Sequence, residues 1–326
     1  MNKTMLSILK VLDAQSETIR GSRAIARELK LHGVHLTERT VRYHLRILDE
    51  RGLTKVYGRE GRLITPKGKE ELSQASVSDK IGFIISKIET LSYLTNLDLE
   101  TLQGDIILNI SFFPEERQKE AYKIMKPVFS SPYVMSDRVV LKKSGESIGD
   151  IVVPQGQIGF GTVCSVTVNG MFLKAGIPIT SKFGGVLQIY DEPLRFTALI
   201  GYEGTSLDPL EIFIKSRMTD VSGAIRNRSG KILASFREIP VVCVEKAKEL
   251  SENLKKKGIG GILLIGNPNQ PVLEMPVSVD RAGMIIVGGL NPIAALEEAG
   301  IPTVTRAMST LYPFSGLVQF RELMEC

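Results

Sequence analysis

The chain has 326 residues, 43% of them hydrophobic, and a formal net charge of +5, enough length for two or three domains. It contains no apolar run of the roughly 20 residues that a bilayer span needs, and its polar N-terminus does not read as a signal peptide, so the expected compartment is the cytoplasm and no membrane partner is expected. Cys164, Cys243 and Cys326 are scattered, which gives neither a disulfide framework nor a zinc spacing. His32, His35 and His44 are the only histidines, so the long remainder cannot hold a Ser/His/Asp or Cys/His hydrolase of the usual kind. His32 and His35 have no Cys or acidic companions that would make them a metal pair, and no metal is expected.

In chain order, residues 2–14 form an amphipathic helix with apolar Met5, Leu6, Ile8, Leu9 and Leu12. "GSRAIARELKLHG" gives a second, capped by Ser22. "TERTVRYHLRILDERG" gives a third, with Thr37 as N-cap and Gly52 as stop. Val41, Leu45 and Leu48 lie on one face of it, widened by Ile47, while Arg39, Arg42, Tyr43 and Arg46 lie on another. For a lone helix that second face reads as merely solvated. Its neighbours change the reading. Two short β-like runs, 53–57 and 62–65, follow around "GREG", and helix, helix, turn, helix, hairpin is a winged helix-turn-helix. In that arrangement the third helix enters the major groove and the hairpin tip lies over backbone or minor groove. Candidate contacts to double-stranded DNA are Thr37, Arg39, Thr40, Arg42, Tyr43 and Arg46, with Arg59 and Arg62 in the wing.

The charge is local. Residues 1–72 hold 15 Lys/Arg and 9 Asp/Glu, a surplus of +6, which leaves −1 for everything after them. A phosphate-facing module requires that asymmetry. The small polar "SQASVS" is a linker, and Ser78 caps a helix whose Ile81, Ile84, Ile85, Ile88 and Leu91 form a stripe suited to packing on the next domain or on its own copy in a dimer. These readings divide the chain into a DNA-binding domain at 1–72, a linker and packing helix at 73–104, and an α/β (α+β) region at 105–326.

The last region carries an internal duplication. Ser111 and Phe112 return as Ser235 and Phe236, Gly159 and Val163 as Gly283 and Val287, and "AGIP" at 175–178 returns at 299–302, each at a shift of 124 (235 − 111). "GVLQI" and "GLVQF" match at 131 (319 − 188). Two related lobes, 105–220 and 222–326, are expected. Each reads as a strand, an amphipathic helix, a β run, a further strand, a short helix, then "AGIP" into another strand. Pro114 fits the first turn of the first long helix and Gly258 ends the second. Asn169 is expected to cap one short helix; Asn291 caps the other, with Pro292 at its first position. The glycines of "KKKGIGGILLIG" precede a strand and read as a turn. Two helix starts facing each other across the lobes would form an anion site.

"GTVCSVTVNGMFLKAGIP" and "VDRAGMIIVGGLNPIAALEEAGIP", behind a winged helix, resemble the NrpR family of nitrogen-regulatory transcriptional repressors of methanogenic archaea, over essentially the whole chain. Many members carry two copies of the effector region, where this chain has room for one. The resemblance implies a repressor of nitrogen-fixation and glutamine-synthetase genes, not an enzyme, that acts as a homodimer or beside a second NrpR-type subunit. It implies 2-oxoglutarate as effector, weakening operator binding, with no other cofactor. Candidate effector contacts are Cys164, Thr167, Asn169 and Gly170 with Lys182 as carboxylate partner, and Gly288, Gly289 and Asn291 with Arg306. Each has a plainer reading: Cys164 as packing, the asparagines as caps. Three alternatives stay open: a repressor answering a different small anion, an enzyme with a DNA-binding head, and an architectural dimer that senses nothing.

Overall fold

The computed structural model describes residues 3–13, 19–31, 33–58, 60–73, 82–190 and 194–324. His32, Arg59, Ser78, Ile81 and Cys326, all invoked above, lie outside them. The chain divides into two units, 1–81 and 82–326.

In the first unit α1 (Lys3–Asp13), α2 (Ser22–Leu31) and α3 (Glu38–Glu50) precede a hairpin of β1 (Thr54–Tyr57) and β2 (Gly61–Ile64). The local chemistry explains α3. Thr37 Oγ1 accepts the Thr40 amide at 3.2 Å, and Val41, Leu45 and Leu48 are fully buried. Gly52 takes φ +70 while the Leu53 amide reaches back to the Leu48 carbonyl, a Schellman-type end. These side chains meet Ile8, Leu9, Leu12, Ile25 and Leu29 in one core. Ser22 is the first residue of α2, and its hydroxyl donates to Glu38 of α3. A further helix, α4 (Pro66–Ser73), follows the wing where only hairpin and linker were expected. Thr65 Oγ1 accepts the Gly68 amide, and Pro66 is the first helical residue.

The second unit is α+β with two five-stranded antiparallel sheets. It opens with α5 (Phe83–Leu94), whose Ile84 and Ile88 are buried on this unit's own sheets and helices rather than kept for a partner. Then come β3 (Asp105–Pro114), α6 (Gln118–Phe129), β4 (Arg138–Lys142), a small hairpin β5 (Ser147–Ile148) and β6 (Ile151–Val152), β7 (Gln157–Val163), α7 (Val166–Lys174), β8 (Thr180–Ile189) and β9 (Arg195–Gly201). Two short helices, α8 (Pro209–Lys215) and α9 (Val221–Arg226), lead to β10 (Gly230–Pro240), α10 (Val244–Lys256), β11 (Ile262–Ile265), β12 (Arg281–Val287), α11 (Asn291–Glu298), β13 (Val304–Pro313) and β14 (Val318–Gln319). Pro114 ends its strand, and a 3-10 turn separates it from α6, so it does not open that helix. The glycines before β11 form a turn, as their sequence indicates.

The strand orders are β13-β3-β7-β4-β14 and β11-β12-β10-β8-β9. The chain halves 105–220 and 222–326 therefore do not each close a sheet. β8 and β9 of the first half complete the second sheet, and β13 and β14 of the second complete the first. The duplication is real but out of step with the sequence matches. Phe112 pairs with Gly159 and Glu238 with Gly283, so β7 and β12 are related by 124 residues (283 − 159) and β3 and β10 by 126 (238 − 112). Ser111 thus corresponds to Arg237, not to Ser235. "GVLQI" lies in β8 and "GLVQF" around β14, strands with different places in their sheets.

α5 packs closely on α7 at Gly170, where a Cβ would stand 2.5 Å from the Thr95 Cβ. That side chain has no room to move, since Thr95 is fully buried. Gly170→Ala is expected to destabilise the chain by about 1–3 kcal/mol, as overpacked sites do; equilibrium urea unfolding checks it, and an unchanged midpoint refutes the close contact.

Candidate functional site

Two surfaces carry chemistry. On α3, Arg39, Arg42, Tyr43 and Arg46 are all exposed, opposite the buried stripe. Arg42 sits 3.8 Å from Glu38 and Arg46 3.2 Å from Glu50, exposed pairs that a phosphate can displace at little cost. Thr37 and Thr40 are tied to each other at the helix start. Arg62 differs. Its Nε donates to Asp49 at 2.8 Å, Asp49 also accepts from Thr54, and the pair is mostly buried. Arg62 fastens the wing to α3 and is not a free contact.

The second surface is a narrow cleft, with room for about one water, inside the unit of 82–326. Cys164, Ser165 and Val166 at the start of α7 line it, and so do Gly289 and Leu290 at the start of α11. The two helix starts meet at one space, the first of them three residues before the Asn169 start that the sequence suggested. Asn109, Tyr202, Asp208, Leu210, Ala307 and Met308 complete the lining.

Behind this wall lies Arg237, fully buried at 1% exposure. Its guanidinium donates to the Ser165 carbonyl at 2.9 Å, to Ser165 Oγ at 2.8 Å and to Asn169 Oδ1. All three are neutral oxygens. Among the described residues Nε finds no partner; burial lowers the guanidinium's pKa, and the Tyr202 hydroxyl and the Cys164 thiol pull the other way. A buried cation without a counter-ion is costly. Ser165, whose Oγ accepts from Arg237, is itself a lining residue of the cavity. Burial pushes the Cys164 thiol up to about 11, so it stays protonated. Burial and neighbouring Glu211 raise Asp208 to about 6, against the pull of two backbone amides and Lys87. Tyr202 is raised too, chiefly by burial.

Of the nine expected effector contacts, Cys164 and Gly289 line the cavity. Thr167 Oγ1 bridges the Ile107 amide and carbonyl, and Asn291 bonds the Leu233 amide and carbonyl, so these two equivalent residues pin helix to strand. Neither asparagine caps its helix. Asn291 is already inside α11, and Asn169, in the middle of α7, holds Arg237 and Ser181. Gly170 is a packing contact, as is Gly288, whose amide donates to the Leu233 carbonyl. Lys182 pairs with Glu238 at 3.7 Å. Arg306 is exposed on β13 and is felt by Lys87 and Glu211. Arg237, Ser165, Asp208, Tyr202 and Lys87 were not anticipated. Their one sequence signal is a charge inside an apolar run, Arg237 in "ILASFRE" and Lys87 in "FIISKI". Among the described residues no group of His, Cys, Asp and Glu could hold a metal, and no helix is long and apolar enough to cross a membrane.

Residues 81–319 match the family model described as NrpR regulatory domains NRD1 and 2, and residues 6–72 match a ribonuclease R winged-helix domain. The chain is 38% identical to a global nitrogen regulator NrpRI of Methanosarcina mazei, covering 97% of this chain and 98% of that one. It is 34% identical to a global nitrogen regulator NrpR of Methanococcus maripaludis, covering 96% of this chain but 54% of the relative. A crystal structure of a nitrogen repressor-like protein from Methanococcus jannaschii superposes with a TM-score of 0.63 at 32% identity, covering 73% of this chain and 98% of that one. The family is one of regulators, not of enzymes. With a winged helix in front and the regulatory-domain match over most of the remainder, the chain belongs to the NrpR family.

Proposed function

We propose that the chain represses nitrogen-assimilation and nitrogen-fixation genes, binding operator DNA as a dimer through α3 and letting go when 2-oxoglutarate occupies the cavity. The relatives named as nitrogen regulators support the regulon. The exposed guanidiniums of α3 support DNA contact, and helix-turn-helix modules read twofold sites in pairs. The observation that carries the effector reading is the buried, counter-ion-free Arg237 behind two converging helix starts. A small dianion supplies the missing charge and meets the positive ends of α7 and α11.

A gel-shift titration on nitrogen-gene promoters is expected to show tight binding that millimolar 2-oxoglutarate weakens and other keto acids do not. A complex indifferent to every keto acid would point to the architectural alternative. Arg42→Ala is expected to cost on the order of 1–3 kcal/mol of operator affinity with an unchanged melting temperature, and wild-type affinity and salt slope in that variant would remove Arg42 from the interface.

The pH dependence follows from Asp208. Its carboxyl is raised to about 6, and an incoming anion favours its neutral form further. Ligand binding then takes up a proton, so affinity rises as pH falls from 8 through about 6. Asp208→Asn is expected to flatten that profile in calorimetry; an equally steep profile in the variant assigns the proton elsewhere.

A further inference from the structure

Lys87 of α5 stands one residue behind the cavity wall, bonded to the backbone of Ala307, which lines it. Its Nζ donates to the Ala307 carbonyl at 3.2 Å. Asp208, Glu211 and Cys164 attract its charge, Arg306 opposes it, and burial holds its pKa below the usual lysine value. Ala307 lies in a bulge of β13. Arg306 pairs with Ile110 but Thr310 with Leu108, so two extra residues loop out. At the crest Met308 takes φ +50, a left-handed conformation that a non-glycine residue holds only when its surroundings over-determine it. Three side chains do so: Glu211 accepts the Ala307 amide, Asn109 accepts the Met308 amide at 3.0 Å, and Lys87 holds the Ala307 carbonyl. Ala307, Met308 and Asn109 all line the cavity. Ile84 and Ile88 of α5 share a core cluster with Met308, Cys164 and Tyr202. One helix thus packs apolar side chains behind the lining residues Cys164, Val166, Tyr202 and Met308 and ties its lysine to the carbonyl of another, Ala307, and among the described residues it is the first helix of the unit 82–326.

We propose that Lys87 is a ligand-contact residue and that through it occupancy of the cavity is read by α5; this rests on the cavity being the effector site. An anion in the cavity takes the Lys87 ammonium as counter-ion in place of the Ala307 carbonyl. One of the three pins of the bulge is released, and α5 changes its seating on Met308 and Cys164. A ligand moves a conformational equilibrium only through contacts that differ between the two states, and this exchange of partners is such a contact.

The test uses the full chain and 2-oxoglutarate, with calorimetry on wild type, Lys87→Arg and Lys87→Met, and amide hydrogen exchange with and without ligand. On ligand addition, exchange across residues 83–94 and 306–310 is expected to change roughly threefold or more in wild type. Lys87→Arg keeps binding and response. Lys87→Met loses roughly tenfold or more in affinity together with the exchange response. Wild-type binding with unchanged exchange at 83–94 overturns the proposal while the effector reading stands, and needs no variant to fold. Wild-type affinity in Lys87→Met overturns the contact role. No heat from wild type at millimolar ligand overturns the effector reading itself, and this inference with it.

Discussion

Each five-stranded sheet of the regulatory region is finished by a strand from the other half of the chain. β10 pairs with β8 and β3 with β13, along nearly their whole lengths. Backbone amides and carbonyls removed from water must pair, and here their partners lie across the duplication. Neither half can satisfy its own sheet, so the halves fold as one body with a single main core. The exchange also fixes where the short helices begin. α7 follows β7 in one sheet and α11 follows β12 in the other, and their starts converge on the space between. The cavity is a consequence of the exchange, not of a loop laid over a finished domain.

The charged groups around that space differ in whether they can discharge. Asp208 and Glu211 face Lys87, and burial pushes both carboxyls towards the neutral form and the lysine likewise. Arg237 stands apart with only neutral oxygens around it. A guanidinium cannot discharge by losing its proton at any ordinary pH. The carboxyls and the lysine can adjust their protonation to what enters, whereas Arg237 remains a fixed positive end. Ser165 joins that charge to the cavity wall by accepting from Arg237.

The winged helix was legible because its signals are local. A threonine cap, an apolar repeat and a glycine stop define α3 within sixteen residues (37–52), and the structure returns the same boundaries. α4 was missed although Thr65 and Pro66 form a cap and first turn, since a wing was expected to run on into linker. The strand exchange left no local trace, because pairing partners 41 (230 − 189) or more residues apart imprint no periodicity on either strand. The two-residue slip between β3 and β10 was invisible for a simpler reason. Side chains in a strand alternate with period two, so a shift of two leaves every residue on the same face. The match of Ser111 to Ser235 looked sound, and it concealed that the true counterpart of Ser111 is Arg237. Asn169 and Asn291 were read as caps because asparagine before a helix usually caps it; their side chains serve buried neighbours instead.

The corrected alignment explains why the duplicated region has one polar end rather than two. Where the repeat is structural, the halves kept the same device with different chemistry: Thr167 binds both backbone groups of Ile107, and Asn291 does the same for Leu233. At the cavity the equivalence was broken. Ser165 corresponds to Gly289, and Arg237 to Ser111, whose hydroxyl is spent on Thr305. A cavity between identical lobes would offer the same charges from both sides, and an asymmetric ligand would bind in either of two orientations. With the guanidinium and its serine on one side only, the two sides of the cavity differ in charge. The loss of symmetry leaves the duplicated fold with unlike chemistry at the two helix starts, Ser165 before one and Gly289 before the other.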